Sequence, residues 1–260
     1  MRTVLTDERA GVLTITLNRP ERKNALTPEM QGELIAALEA ASSGSCRVVV
    51  LRGAGDAFCA GLDLSSLQSM AGRSAGEHAA DAARIGRMFR TLYELDKPTI
   101  AVVHGAAIAG GTGLATICDF TLAAPEAWFG YTEVRIGFVP AMVSAYLALQ
   151  VGDKRARDLL LSARVFGAEE AHRLGLVTEV VAAELLSSRT EELSAALMKN
   201  SPEALRATKR LLAGQNKAWL DAAIELSMGA NAEARQTADF REGISAFLEK
   251  RKPGWRQGAG

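Results

Sequence analysis

Two apolar strand-like runs, each followed by a glycine-centred turn and then a helical segment, constrain this chain more than any other feature. The first run is Arg47 to Arg52 (RVVVLR), and its turn is Ala57-Phe58-Cys59-Ala60-Gly61-Leu62-Asp63-Leu64. The second is Thr99 to Val103 (TIAVV), leading into His104 to Cys118 (HGAAIAGGTGLATIC). A chain that leaves a strand, turns at glycine and enters a helix exposes backbone N–H groups without intrahelical partners, at the positive end of the helix dipole. Two such groups converging on one point hold an oxyanion, and a carboxylate beside them moves a proton. Glu133 is the candidate carboxylate, because it stands among Trp128, Phe129, Val134, Ile136, Phe138 and Val139. Burial in such a setting raises a carboxyl pKa toward neutrality.

Length and charge bound the alternatives. A chain of 260 residues makes one large domain, or one domain with an appended subdomain. With 30 basic and 30 acidic residues it has no electrostatic footprint for nucleic acid or an anionic membrane surface. Cys46, Cys59 and Cys118 lack metal-ligand spacing and suit free thiols in a reducing compartment. The N-terminal MRTVLTDERAGVL is charged and has no long apolar core, so no signal peptide is expected. Thr99 to Cys118 runs 20 residues without a charged side chain, the length of a membrane span. Its β-type start, four glycines and His104 instead predict a buried strand, a loop and a buried helix in a soluble, cytoplasmic protein. No HExxH or Cys/His cluster predicts a metal site, no GxSxG predicts a hydrolase elbow, and neither glycine turn is a nucleotide fingerprint.

Along the chain, Thr3 to Thr6 and Val12 to Leu17 read as a hairpin, and Asn18 to Asn24 as a polar loop. Thr27 is placed to cap a helix that has Pro28 at its first position and Leu34, Ile35 and Leu38 on its core stripe. A small-residue loop is expected over 71–76 and a helix from Arg84 to Leu95. Short strands are expected at 119–123 and 128–129, and helices at 141–151, 153–161 and 168–174, the last followed by a strand at 177–181. Beyond Ala183 the pattern is helical, including 202–212, 217–235 and 239–250. The recurrence of strand, glycine turn and helix at 47–70 and 99–118 suggests a spiral of similar units rather than a doubly wound sheet.

In order along the chain, ITLNRPERKNAL (15–26), VVVLRGAGDAFCAGLDL (48–64), KPTIAVVHGAAIAGGTGLATICDF (97–120), FGYTEVRIGFVP (129–140), EEAHRLGLVTEVV (169–181) and EGISAFLEKRKPGW (242–255) resemble the enoyl-CoA hydratase/isomerase (crotonase) family. The resemblance covers nearly the whole chain. It implies an α/β fold, a spiral of ββα units over residues 1–200, followed by a helical oligomerisation region over 201–260 that makes a homotrimer or a dimer of trimers. It further implies an acyl-CoA substrate, coenzyme A entering only as part of that thioester, and no permanently bound cofactor. By position, Leu62 and Gly110 would supply the oxyanion-hole N–H groups and Glu133 the proton-transfer carboxylate for a thioester enolate. Arg22, Lys23 and Ala25, with Ala60, Asp63 and Leu64, would cradle the adenosine end of coenzyme A. The apolar residues Leu205, Leu211, Leu212, Leu220, Ile224 and Leu226 would face neighbouring subunits.

One departure matters. The family's hydratases carry two glutamates, and the second falls here on Gly113. Hydration of a 2-enoyl-CoA is the leading reading, and a Δ3,Δ2-enoyl-CoA isomerase, which needs one carboxylate, is the alternative. A dienoyl isomerase would need an acid where Ala141 stands. A catalytically inactive member that binds acyl-CoA or RNA is a reading of another class, opposed by the intact glycine turns and Glu133. Asp63 reads equally as a cofactor contact or as the cap of the following turn, and Tyr131 as a packed aromatic or a pocket hydroxyl. His104 reads as a core residue or one behind the site, and His78 and His172 as surface or helix-face residues.

Overall fold

The computed structural model describes residues 2–69 and 72–256. It opens with an antiparallel hairpin, β1 (Val4–Arg9) and β2 (Val12–Leu17). Thr27 caps α1 (Pro28–Ser43) by accepting the Met30 N–H at 3.2 Å, and Leu34, Ile35 and Leu38 line its buried face. Then β3 (Val48–Gly53) and β4 (Ala57–Cys59) lead to α2 (Leu64–Ser69) and α3 (Ala75–Glu94). The pattern repeats as β5 (Thr99–Val103), β6 (Ala106–Ile108) and α4 (Gly110–Thr116), and again as β7 (Phe120–Ala123), β8 (Trp128–Gly130) and α5 (Ala141–Val151). The remainder comprises α6 (Asp153–Ser162), β9 (Val165–Gly167), α7 (Ala168–Arg173), β10 (Glu179–Val180), α8 (Leu186–Met198), α9 (Pro202–Ala234) and α10 (Ala238–Leu248).

The first strand of each repeat joins a sheet ordered β1-β2-β3-β5-β7-β10, and the second joins a sheet ordered β4-β6-β8-β9. Pairing is parallel wherever successive repeats meet, with Ile100 opposite Phe120 in one sheet and Ala107 opposite Phe129 in the other. Each repeat therefore adds a strand to both sheets, which is the spiral of ββα units that the sequence implied. The larger sheet is covered on both faces. Along β3, Val49 and Leu51 enter the main core, whereas Val48 and Val50 pack in a second cluster with Leu186 and Leu197 of α8. That period-two split explains the unbroken RVVVLR run. The uncharged 99–118 segment is the buried strand and helix expected, with β6 between them. No described helix is long and apolar enough to cross a membrane.

Five expectations need correction. The helix read from Arg84 starts at Ala75, because Ser74 and Glu77 form a reciprocal capping box: the Ser74 N–H donates to Glu77 Oε2 at 2.9 Å, and the Glu77 N–H donates to Ser74 Oγ at 3.4 Å. The loop expected over 71–76 is therefore helix from Ala75, and its first residue lies outside the described residues. The two helices read over 202–212 and 217–235 are one, α9, which runs through Gly214 without a break. Its apolar residues divide. Leu220 and Ile224 are buried in the main core of this chain, against α3 and α5, while Leu211, Leu212 and Leu226 are exposed. Leu220 and Ile224 are thus not available to a neighbouring subunit. His78, read as a surface or helix-face residue, does lie on a helix, α3, but on its buried face.

A buried ion pair ties α3 to the end of α9. Arg235 Nη1 lies 2.6 Å from Asp81 Oδ2, with the two side chains 1% and 4% exposed. Arg84 also pairs with Asp81, and the Arg235 guanidinium stands 5.9 Å from the centre of the Phe138 ring. Removing one member of such a pair strands the other in a medium that cannot solvate it. Asp81→Ala is expected to lower stability by about 3–5 kcal/mol, read from the urea unfolding midpoint.

Candidate active site

The two glycine turns meet. At the first, Gly61 takes φ +85°, and its carbonyl accepts the Leu26 N–H at 2.8 Å while the Asp63 N–H donates to Leu26 O at 3.1 Å. These bonds bracket Leu62, whose own N–H makes no loop hydrogen bond among the described residues. At the second, Ala109 precedes α4 at φ 55°, ψ −122°, a conformation that strains an L-residue, and the Gly110 N–H is the first of the helix. It too has no loop or capping partner among the described residues. A Cβ on Gly61 would stand 2.9 Å from Ile108 O and 3.4 Å from Gly110 N, so the Leu62 and Gly110 amides belong to backbones in van der Waals contact.

Thr112 fixes the third component. Its hydroxyl donates to Ala107 O at 2.6 Å, accepts the Gly130 N–H at 3.1 Å, and so locks α4 to β6 and β8. The Ala109 N–H adds a bond to Gly130 O at 2.6 Å. Three residues beyond Gly130, Glu133 begins a short helical turn (Glu133–Ile136), with 8% of its surface exposed. Burial pushes its carboxyl up to about 7, and Oε2 is buried with no hydrogen-bond partner in the described structure. Leu62, Gly110 and Glu133 line one cavity of about 160 Å³. Among the described residues, only Thr132, Glu133 and Asn231 bring hydrogen-bonding side chains to its wall.

Gly113 does not face open space. A Cβ there would lie 2.5 Å from Val143 Cγ1 and 2.8 Å from Phe89 Cε1. The position of the missing second carboxylate is filled by apolar side chains that also line the cavity.

The loop residues separate into two groups. Ala60 and Leu64 line the cavity. Arg22, Lys23, Ala25 and Asp63 do not, although Lys23 touches a lining residue, its carbonyl accepting the Ala60 N–H at 2.9 Å; Arg22 and Lys23 are exposed. Asp63 is engaged as a cap, its Oδ1 accepting the Ser66 N–H at 2.9 Å and its Oδ2 facing Arg19 Nη1 at 3.1 Å. Burial works to raise its pKa, but those partners outweigh burial and the net shift is downward. Tyr131 is packed, with its hydroxyl 3.5 Å from Thr116 Oγ1, and does not line the cavity. His104 Nε2 pairs with Gly55 O at 2.8 Å, away from the reacting groups.

Sequence reasoning missed Asn24. Its side chain, fully buried, donates to Ala54 O and Ala57 O at 2.8 Å each and accepts the Arg19 N–H at 2.9 Å. It sits at φ 54°, a region that asparagine tolerates better than most residues, and that preference was the available signal. Asn231 and Thr112 were also missed.

Two glycine turns, a dry carboxyl group and an apolar cavity lie together on a spiral of ββα units. The chain belongs to the enoyl-CoA hydratase/isomerase family, whose model it matches over residues 7–258. It is 43% identical over 247 residues to a Thermus thermophilus protein provisionally named enoyl-CoA hydratase, covering 95% of this chain and 98% of that protein. It is 34% identical over 249 residues to a crotonyl-CoA hydratase of Syntrophomonas wolfei, covering 95% and 94% of the two chains. A crystal structure of an enoyl-CoA hydratase from Mycobacterium avium is similar with a TM-score of 0.86 and 33% identity, over 98% of this chain and 99% of that one.

Glu133 ties stability to pH. Its folded pKa of about 7 lies above the ordinary 4.5, so the folded state holds more protons than the unfolded state between those values. Its contribution to stability is complete below that window and falls as pH rises through it, by about 3 kcal/mol overall at about 1.4 kcal/mol per unit. Glu133→Gln removes the slope. Relative to the parent, the variant should gain stability from about pH 5 to about pH 7.5 in urea unfolding, and parallel curves would contradict the assignment.

Proposed function

We propose that this protein hydrates a 2-enoyl-CoA thioester. The observation that carries the reading is the buried Glu133 carboxyl, its Oε2 unpartnered, in one apolar cavity with the Leu62 and Gly110 N–H groups that make no loop hydrogen bond among the described residues. The thioester oxygen is received by those two amides, which hold negative charge as the enolate develops. In a water-excluded site each such donor is worth about 10²–10³ in rate. With its pKa near neutrality, Glu133 exists in both forms at working pH. As carboxylate it takes a proton from the water whose oxygen bonds to C3; as acid it returns that proton to C2 of the enolate. One carboxyl thus serves as base and then as acid, and the double bond gains one hydroxyl and one hydrogen.

Arg22 and Lys23, both exposed, supply cations for the phosphates of coenzyme A, with Ala25, Ala60, Asp63 and Leu64 shaping the adenosine cradle. Coenzyme A enters only as part of the substrate. The exposed Leu211, Leu212 and Leu226 of α9 are the surface offered to neighbouring subunits in a trimer or dimer of trimers. A second reading, Δ3,Δ2-enoyl-CoA isomerisation, is served equally by the one carboxyl that the blocked space at Gly113 leaves: it takes a proton from C2 and returns it to C4. No observation favours an inactive acyl-CoA- or RNA-binding protein.

The discriminating experiment offers matched 2-enoyl- and 3-enoyl-CoA thioesters and follows both hydration and isomerisation. Glu133→Gln should lower kcat by about two to four orders of magnitude while acyl-CoA affinity changes little, and full activity in that variant would refute the proposal. Gly113→Glu is expected to lose about 1–3 kcal/mol of stability, because its side chain must displace Val143 and Phe89, and to bring no gain in hydration. Thermal unfolding with a hydration assay checks both parts.

A further inference from the structure

Asn231 is a polar residue on an apolar stripe. The buried positions of α9 run Leu220, Ile224, Ser227, Asn231 and Ala234, one face of the helix, and Asn231 is 3% exposed. It lines the same cavity as Glu133. Its amide can face only one way. Arg235 Nε lies 3.1 Å from Oδ1, and a guanidinium donates but never accepts, so the oxygen must stay turned to Arg235. Nδ2 is left with two N–H donors and no acceptor among the described residues. Nδ2 is not sealed from solvent, so a ligand that covers it must accept from it or leave a donor unpaired.

The rest of this wall strengthens the point. Arg235 is held by Asp81 and lies over the ring of Phe138, another cavity residue. Arg84 shares the same Asp81, so two guanidiniums face one carboxylate. His78 beside them is held below its usual pKa, by burial first and then by the charge of Arg235. The local potential is positive and favours an acceptor carrying negative charge. Helix α9 supplies neither the oxyanion donors, nor Glu133, nor the loop of Arg22 and Lys23. Asn231 therefore faces what remains of an enoyl-CoA in this site, which is the acyl chain.

We propose that Asn231 Nδ2 donates to an oxygen carried on the acyl chain, so that the preferred substrates are enoyl-CoA thioesters with a carbonyl or carboxylate acceptor on that chain. The proposal rests on the reading of the cavity as an acyl-CoA site. A plain hydrocarbon chain would dry Nδ2 without replacing its water, and a site built to hydrogen-bond a substrate atom discriminates strongly against analogues that lack it.

The test uses 2-enoyl-CoA thioesters of equal chain length that are plain, carry a ketone at successive carbons, or end in a carboxylate. The saturated analogue of each is titrated in parallel for binding alone. The intact protein should favour at least one oxygenated member over its plain match by about tenfold or more, in kcat/KM and in affinity. Asn231→Asp keeps the oxygen that Arg235 needs and deletes the donor, so that ratio should fall to about one for a ketone and below one for a carboxylate. Asn231→Leu gives a second, apolar version of the same loss. Equal handling of plain and oxygenated chains by the intact protein would overturn the proposal, as would an unchanged ratio in either folded variant. Turnover of plain chains with no binding preference sinks the Asn231 assignment and leaves the enzyme reading standing. A donor-dependent binding preference with no turnover does the reverse.

Discussion

A Cβ on Gly61 would fall 2.9 Å from the Ile108 carbonyl oxygen, and one on Gly111 would fall 2.1 Å from the Cys59 carbonyl oxygen. Both approaches press the β4 turn onto the start of α4 closer than any side chain permits. The two amides from separate repeats can converge only because this contact is made by bare backbone. The glycines divide the work unequally. Gly61 supplies a positive φ and Gly111 supplies clearance, while the strained turn into the helix falls on Ala109. Strain of that kind, worth about 1–3 kcal/mol, persists only where surrounding bonds over-determine the backbone. Here the Thr112 hydroxyl and the Ala109 N–H, both bonded to Gly130, do so. The same bonds place β8 and, three residues later, Glu133. Donors and carboxyl are thus set by one network.

Dryness then sets the chemistry. The cavity is walled by aliphatic and aromatic side chains, so a carboxylate within it loses water and its pKa climbs, while a backbone donor facing developing charge gains strength. The desolvation that disfavours ionised Glu133 also strengthens the interaction of the Leu62 and Gly110 amides with any negative charge brought against them. Val143 and Phe89, crowding the space at Gly113, remove a second carboxylate and help to keep the medium dry. A second buried acid beside Glu133 would have split the two pKa values apart through like-charge repulsion. With one carboxyl only, burial raises the value to about 7 against the smaller, opposing pull of a hydrogen bond from its own backbone N–H.

Much of the architecture was legible because the informative signals were local. The β-branched runs, Thr27-Pro28, the glycine turns and the apolar setting of Glu133 each act within a few residues. Each lies where it was expected. The helix start at Ser74 was equally local, since Ser74-Ala75-Gly76-Glu77 carries a capping box, but the small residues after it read as a loop. What escaped depends on contacts between distant segments. Asn24 joins a loop to the β3–β4 turn about thirty positions away, and only its taste for positive φ hinted at this. The division of α9 into core-facing and exposed apolar residues follows from packing against α3 and α5, which no periodicity reveals. His78 looks like a surface or helix-face residue until α9 brings Arg235 over it, and Asp81, ahead of the expected helix, carried no signal at all.

That last cluster shows how a buried charge shapes a site it does not enter. Placing Arg235 in the interior costs desolvation, and pairing with Asp81 offsets part of it without making the pair a strong source of stability. Its better-supported consequence is registry, because the pair fixes the end of α9 against α3. It also fixes an amide, since Arg235 Nε takes the Asn231 oxygen and leaves the nitrogen with the other orientation. An asparagine alone in an apolar wall could present either atom to the cavity. One anchored on a guanidinium presents only its donor. The charge thereby dictates, through a neutral side chain, which polarity the wall offers a substrate.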